Sequence, residues 1–272
     1  MRLAIFSDLH FRRLGETEYY PGLERKLVKH AEPLIANLIK DINEYAPDVV
    51  VNLGDIIEHV DRATDIKNLK TMAGVLKQIN APLYSVVGNH EIINLGVAEV
   101  AKLLGVPLEH RRGATFSVDV GGYHLVFLSP CDTEQLMPAG YKMKRVISDA
   151  DLAWLEGDLA RNKLPTIVFT HFGLAKDDMR GNHWFGDEPH RAEAFLENGE
   201  KVKGILRGAG NLLAVFSGHH HWTKTIVEDG IAYHVVGSLI EDTDGSGVPD
   251  GVWLKVEVDG GEVSVQEQRV GF

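Results

Sequence analysis

In Val86-Val87-Gly88-Asn89-His90-Glu91 a run of apolar, strand-forming residues stops at a glycine, and three polar side chains follow in succession. Leu83, Tyr84, Val86 and Val87 have the β-branched and aromatic character of a buried strand, and Gly88 supplies the backbone freedom for an abrupt turn. An amide, an imidazole and a carboxylate therefore emerge together at a strand end, where α/β proteins build their sites. Taken alone, the same residues also read as a turn carrying a surface histidine. Recurrence of the pattern elsewhere in the chain separates the two readings.

It recurs upstream. The first apolar run, Arg2 to Ser7, ends in Asp8-Leu9-His10; on an extended backbone residues two apart share a face, so Asp8 and His10 are expected to converge. Asp48 to Leu53 is nearly continuous in apolar character, as in a strand buried on both faces, and ends in Gly54-Asp55. Glu58, His59 and Asp61 follow as candidates for the mouth of a site or for support of its ligands. Between these runs, Leu23 through Tyr45 carries Leu27, Leu34, Ile35, Leu38, Ile39 and Ile42 at helical spacing with Pro47 past its end, and Thr64 to Ile79 is a second helix. Strand, helix, strand, helix, strand implies parallel strands with crossover helices.

Downstream, Ala114 to Val120 and Tyr123 to Leu128 flank Gly121-Gly122 as a hairpin. Asp149 to Asn162 is a helix with Ser148 as its N-cap. Thr166 to Thr170 is a buried strand ending in His171. The polar and aromatic segment Phe172 to Pro189 contains His183 and Trp184, candidates for the rim of a pocket, and a loop of this length is a lid, a rim or an elaborate connection. Leu212 to Phe216 precedes Ser217-Gly218-His219-His220-His221, in which His219 and His221 are expected to face one way and His220 the other. Ile231 to Val236, Val252 to Val258 and Glu262 to Gln268 close the chain as a meander.

Bulk properties bound the answer. A chain of 272 residues with 44% hydrophobic and 25% charged residues is globular, long enough for a large core and best read as a single domain over 1–272. The net charge of −11 disfavours nucleic acid and anionic membrane surfaces as partners. The one cysteine, Cys131, excludes an intramolecular disulfide. Met1 runs almost at once into strand-like Leu3-Ala4-Ile5-Phe6, and no apolar run approaches the roughly 20 residues that span a bilayer. The expectation is a cytoplasmic protein without a membrane anchor.

Asp8-x-His10, Gly54-Asp55, Gly88-Asn89-His90-Glu91, His171 and Gly218-His219-x-His221 form an ordered set, each after an apolar run. This set resembles the signature of the calcineurin-like metallophosphoesterases, and the compact Asn-His-Glu form looks most similar to their class III cyclic-nucleotide phosphodiesterase branch. The resemblance implies an α/β fold of four layers, two mixed β-sheets flanked by helices. It implies Asp8, His10, Asp55 and His221 on one metal ion and Asp55, Asn89, His171 and His219 on a second, with Asp55 bridging. It also implies His90 beside the substrate phosphate, unligated and assisting the leaving group, with Asn89 contacting substrate as well. The cofactors would be two divalent or trivalent ions, with manganese, iron or zinc suited to these nitrogen and oxygen donors.

The activity expected is hydrolysis of a small phosphodiester such as a cyclic nucleotide, by attack of metal-bound hydroxide on phosphorus. A phosphomonoesterase or nucleotide pyrophosphatase with the same site is the alternative, ahead of a non-catalytic scaffold. Trp184 and Phe185 either stack on a base or seal a subunit contact, which leaves a homo-oligomer open. The sequence departs from many relatives in following His171 with Phe172-Gly173-Leu174, and it carries an additional imidazole at His220.

Overall fold

The computed structural model describes residues 1–13, 25–106, 114–130, 145–188 and 190–271. Cys131, the expected helix start at Leu23 and the expected loop end at Pro189 lie outside them. In chain order the first half contains β1 (Arg2–Phe6), α1 (Ala31–Tyr45), β2 (Val49–Asn52), α2 (Arg62–Leu76), β3 (Leu83–Ser85), the single turn α3 (Asn89–Ile92) and α4 (Val97–Leu103). The second half contains β4 (Phe116–Val120), β5 (Tyr123–Leu128), α5 (Asp149–Arg161), β6 (Thr166–Thr170), α6 (Gly199–Ala209) and β7 (Leu212–Ser217). It ends with β8 (Lys224–Glu228), β9 (Ile231–Val235), β10 (Val252–Asp259) and β11 (Glu262–Arg269).

Two sheets face each other. One has the order β11-β10-β1-β2-β3, parallel through β1, β2 and β3 and antiparallel at the β10–β11 hairpin. The other has the order β4-β5-β6-β7-β9-β8, parallel from β5 to β9 with an antiparallel strand at either edge. Helices α1, α2 and α4 cover the first sheet, and α5 and α6 cover the second. The four-layer α/β architecture expected from the resemblance is therefore present.

The interface between the sheets is an aromatic ladder. Phe116, Phe127, Phe169 and Phe216 stack across adjacent strands at centroid separations of 4.7, 5.0 and 5.8 Å, and Tyr84 reaches Phe127 from the opposite sheet at 5.4 Å. Alternation on the same strands sends Val126, Leu128, Val168 and Val215 to the other face, against α5 and α6.

Three local expectations are corrected. The first helix begins at Ala31, preceded by a 3₁₀ turn at Val28–His30, because Lys26 pairs with Glu241 in an isolated bridge and the Leu27 N–H donates to the Ile240 carbonyl. That extended backbone carries Arg25 and Lys26 toward the strand ends. The terminal strands are not one meander, since β9 belongs to the second sheet and β10–β11 to the first, and β8 was not anticipated although Lys224–Glu228 alternates in burial. Asp61, considered near a site mouth, caps α2 by accepting from the Ala63 and Thr64 N–H groups. Among the described residues, no helix is long and apolar enough to cross a membrane.

Candidate metal centre

The loops leaving β1, β2, β6 and β7, with that after β3, meet along one edge of the paired sheets. Asp8, His10, Asp55, His219 and His221 have φ of 55°, 48°, 51°, 67° and 58°. Left-handed backbone costs a non-glycine residue of the order of 1 kcal/mol or more, so its concentration here marks a site held against local preference. It also corrects the reason for convergence. Asp8 and His10, and likewise His219 and His221, are brought together by tight left-handed turns rather than by the alternation of an extended strand.

Close approach of these loops needs the glycines of the motifs. A Cβ on Gly88 would collide with the Asp55 carboxylate, and one on Gly218 with Ser7 Oγ and the Asp8 carboxylate. Glu91 ties two of the loops from below. Its buried carboxylate accepts from the N–H groups of Asp55 (3.0 Å), Ile57 (3.1 Å) and Gly88 (2.8 Å). Burial, reinforced by the charge of Asp55, raises Glu91 to about 7. The last polar residue of the Asn-His-Glu run is thus an anchor of the backbone.

The seven side chains expected as ligands lie together. Donor atoms of Asp8, His10 and His221 fall within 4.8 Å of one another, as do those of Asp55, His171 and His219. His171 Nε2 is 2.9 Å from Asn89 Oδ1 and 3.4 Å from Asp55 Oδ2. Asp55 Oδ1 accepts from the His90 N–H at 2.8 Å, while Oδ2 also lies 3.8 Å from His10 Nε2. One oxygen of Asp55 therefore faces both clusters, instead of one oxygen facing each.

Every imidazole of the set has one nitrogen engaged away from the centre. His10 Nδ1 lies 2.9 Å from Glu58 Oε2, and His221 Nδ1 lies 2.8 Å from Glu241 Oε2. His171 Nδ1 lies 2.8 Å from the Leu53 carbonyl, and His219 Nε2 lies 3.1 Å from that of Glu193. Outer acceptors of this kind fix the tautomer and leave the other nitrogen's lone pair for a cation. A cation fits what remains. His10 Nε2 and His221 Nε2 face each other at 3.0 Å, with the fully buried Asp8 Oδ1 3.3 Å from His221 Nε2 and 3.8 Å from His10 Nε2. Burial opposes charge on His171 and His221, yet Asp55 raises the first to about 9, and Asp8 and Glu241 raise the second to about 9. Burial, with the charge of Lys26, holds His10 down to about 3.

Glu241 was not singled out in the sequence, and Glu58 only as a residue near the mouth; they lie directly behind His221 and His10. Each is matched by a cation, Lys26 Nζ at 3.1 Å from Glu58 Oε2 and Arg25 Nε at 3.1 Å from Glu241 Oε1. A carboxylate three residues after Asp55 was a readable signal for Glu58. Nothing local marked Glu241, whose role depends on a turn formed 20 residues after His221.

Segment 181–186 is pinned as a wall. Asn182 donates to the His220 carbonyl at 2.7 Å and accepts from the N–H groups of Trp184 and Phe185. The Trp184 indole donates to both Glu241 oxygens, and the Phe185 ring packs 4.8 Å from His219. Both aromatics are engaged within the chain. His183 packs on Trp184 at 4.7 Å, and the two line a cavity of about 330 Å³ that also reaches Arg25, His221 and Arg269. His220 points away from the centre, as expected, with Nε2 2.9 Å from the Ala194 carbonyl. Its ring occupies the space a Cβ on residue 173 would need, which favours glycine at that position.

The two sheets present paired metal-donor clusters at their strand ends. Residues 1–223 match the model of the calcineurin-like phosphoesterases, and the chain belongs to that family, whose members work with two metal ions. It is similar to the human manganese-dependent ADP-ribose/CDP-alcohol diphosphatase, 25% identical over 133 residues that cover 45% of this chain and 39% of that protein. Among solved structures it resembles a dimetal phosphatase from Danio rerio, with a TM-score of 0.71, 15% identity and 99% of both chains covered. It also resembles a purple acid phosphatase from yellow lupin (Lupinus luteus) seeds, with a TM-score of 0.69 and 15% identity over 99% of this chain and 51% of that one. At such identities the structural likenesses establish the fold alone.

Proposed function

We propose that this chain hydrolyses small phosphodiesters, holding one cation with Asp8, His10, Asp55 and His221 and a second with Asp55, Asn89, His171 and His219. The observation that carries the reading is the set of four imidazoles, each with one nitrogen beside an outer oxygen and each in a donor cluster with Asp8 or Asp55. Such cations, when bound, supply charge neutralisation at the phosphate and activation of a water.

The protein's own groups do the rest. Asp8 and Asp55 contribute two negative charges and Asn89 a neutral oxygen, so the loaded centre stays positive and attracts an anionic ester despite the acidic chain. His90 is the candidate acid. Its Nε2 lies 3.9 Å from Asp55 Oδ2, facing the centre, and its Nδ1 lies 3.1 Å from Glu58 Oε1, which orients the ring. His90 shares a donor cluster with His10 and Asp55, but the first cation already has four donors without it. A ring so placed can deliver a proton to the departing oxygen. His183 and Trp184 form the rim in this reading, and the setting is cytoplasmic.

For the substrate, the compact Asn-His-Glu motif favours a cyclic nucleotide. A nucleoside diphosphate linked to an alcohol or sugar is the second reading, favoured by the likeness to the human diphosphatase. The test is turnover by the manganese-loaded protein on mono- and bis-para-nitrophenyl phosphate, cyclic nucleotides and ADP-ribose. Preference for the bis ester and for one of the two nucleotide classes is expected; selective cleavage of the monoester would refute the phosphodiesterase assignment.

A further inference from the structure

Outside the seven donors lies a third convergence of metal-binding atoms that the proposed mechanism does not use as such. Glu58 divides its oxygens. Oε2 faces His10 Nδ1 and Lys26 Nζ, whereas Oε1 faces outward to His90 Nδ1 at 3.1 Å and to His59 Nδ1 at 3.6 Å. The two imidazole nitrogens are themselves 2.9 Å apart, with the rings tilted by 55° so that Nδ1 meets Nδ1 edge to edge. Three donors bound to one zinc at about 2.0–2.2 Å in a tetrahedron lie about 3.3 Å from each other, a separation that the observed 2.9, 3.1 and 3.6 Å bracket. The His59 and His90 side chains are 31% and 15% exposed, so a fourth position opens to water.

We propose that Glu58 Oε1, His59 Nδ1 and His90 Nδ1 form a third, inhibitory site for a borderline transition metal such as Zn²⁺. It would fill last, since Lys26 already compensates Glu58 and the dinuclear pair adds positive charge nearby. Two nitrogens and one oxygen discriminate against Mn²⁺, which lies low in the affinity order, in favour of Zn²⁺. Its consequence rests on the acid role proposed for His90. With a cation between Nδ1 and Glu58 Oε1, the direct contact that orients the His90 ring toward the departing oxygen is lost.

The test is equilibrium dialysis of the full chain against Zn²⁺ and, separately, Mn²⁺, with metal per chain read by mass spectrometry for the wild type and for His59→Gln. Hydrolysis is measured in the same samples relative to each protein's rate at two equivalents of metal. The wild type should take up a third, weaker zinc and lose turnover as it fills, whereas manganese should stop at two. In His59→Gln the third zinc should bind more than about 10-fold more weakly, with inhibition shifted to match. Saturation at two zinc ions in the wild type, or a third ion retained unchanged in His59→Gln, overturns the site. A third ion that depends on His59 but leaves turnover intact overturns its inhibitory role. Absence of hydrolysis in every sample would count against the proposed function, and the zinc stoichiometry of the two proteins would still decide whether the third site exists.

Discussion

His90 and the ligands around it are separable by experiment. His90→Ala should keep both metals and lower turnover by about 10²–10⁴, the range for a positioned acid. Metal content and kcat measured on one preparation check this, and unchanged turnover would remove His90 from the chemistry. Asp55→Ala should instead lose metal, because its Oδ2 faces both clusters. Glu241 acts at one remove. Glu241→Gln weakens the hold on His221 Nδ1, on the Trp184 indole and on Arg25 at once. The expected outcome is a loss of metal affinity of about 10–100-fold, read by competition with a chelating dye, with kcat at saturating metal much less affected. At this scale the residues that meet in the candidate centre were legible by type and spacing, because glycine and polar residues interrupt apolar runs in a recurring way. The left-handed conformations of Asp8, His10, Asp55, His219 and His221 were not, since no residue pattern in the chain announces a positive φ at a non-glycine position.

Among the elements, the parallel strands and their crossover helices follow from apolar runs alternating with helical periodicity. Strand membership of the terminal hairpins did not, because β8, β10 and β11 have similar alternation and only tertiary pairing assigns them to a sheet. The inter-sheet ladder should dominate stability. Phe169→Ala, at the centre of the stack and fully buried, should cost about 3–5 kcal/mol in chemical denaturation. The outer edge of the second sheet has a pH-dependent clamp, with His124 of β5 held between Asp119 at 2.6 Å and Asp158 of α5 at 2.9 Å. Burial opposes charge on His124, but the two carboxylates raise it above the ordinary histidine value. Stabilisation from this shift is complete below the unfolded value of about 6.5 and is lost as pH rises through the higher folded value. Thermal melts of His124→Gln should therefore show the largest deficit near pH 6, about 1–2 kcal/mol, shrinking in alkaline buffer; a deficit that grows with pH would exclude the charged clamp.

For the molecule as a whole, the metals and the fold are expected to be coupled. Five polar loops with strained ligands meet at one edge, so cations that bind only the native arrangement should stabilise it by about 2–3 kcal/mol each at 100-fold excess over Kd. Chelation should lower Tm by about 5–10 °C, with recovery on adding manganese. The overall architecture and the ordered set of motifs were readable from the chain because one site draws on nearly every parallel strand. Arg25, Lys26, Glu58 and Glu241 were harder to read, since their work is done on ligands contributed by other loops. The most direct test of the two-cation centre is an anomalous-scattering map from crystals of the manganese-loaded protein. Two peaks about 3.5–4 Å apart are expected, one among Asp8, His10 and His221, the other among Asn89, His171 and His219, with Asp55 between them. A single peak, or peaks away from these side chains, would contradict it.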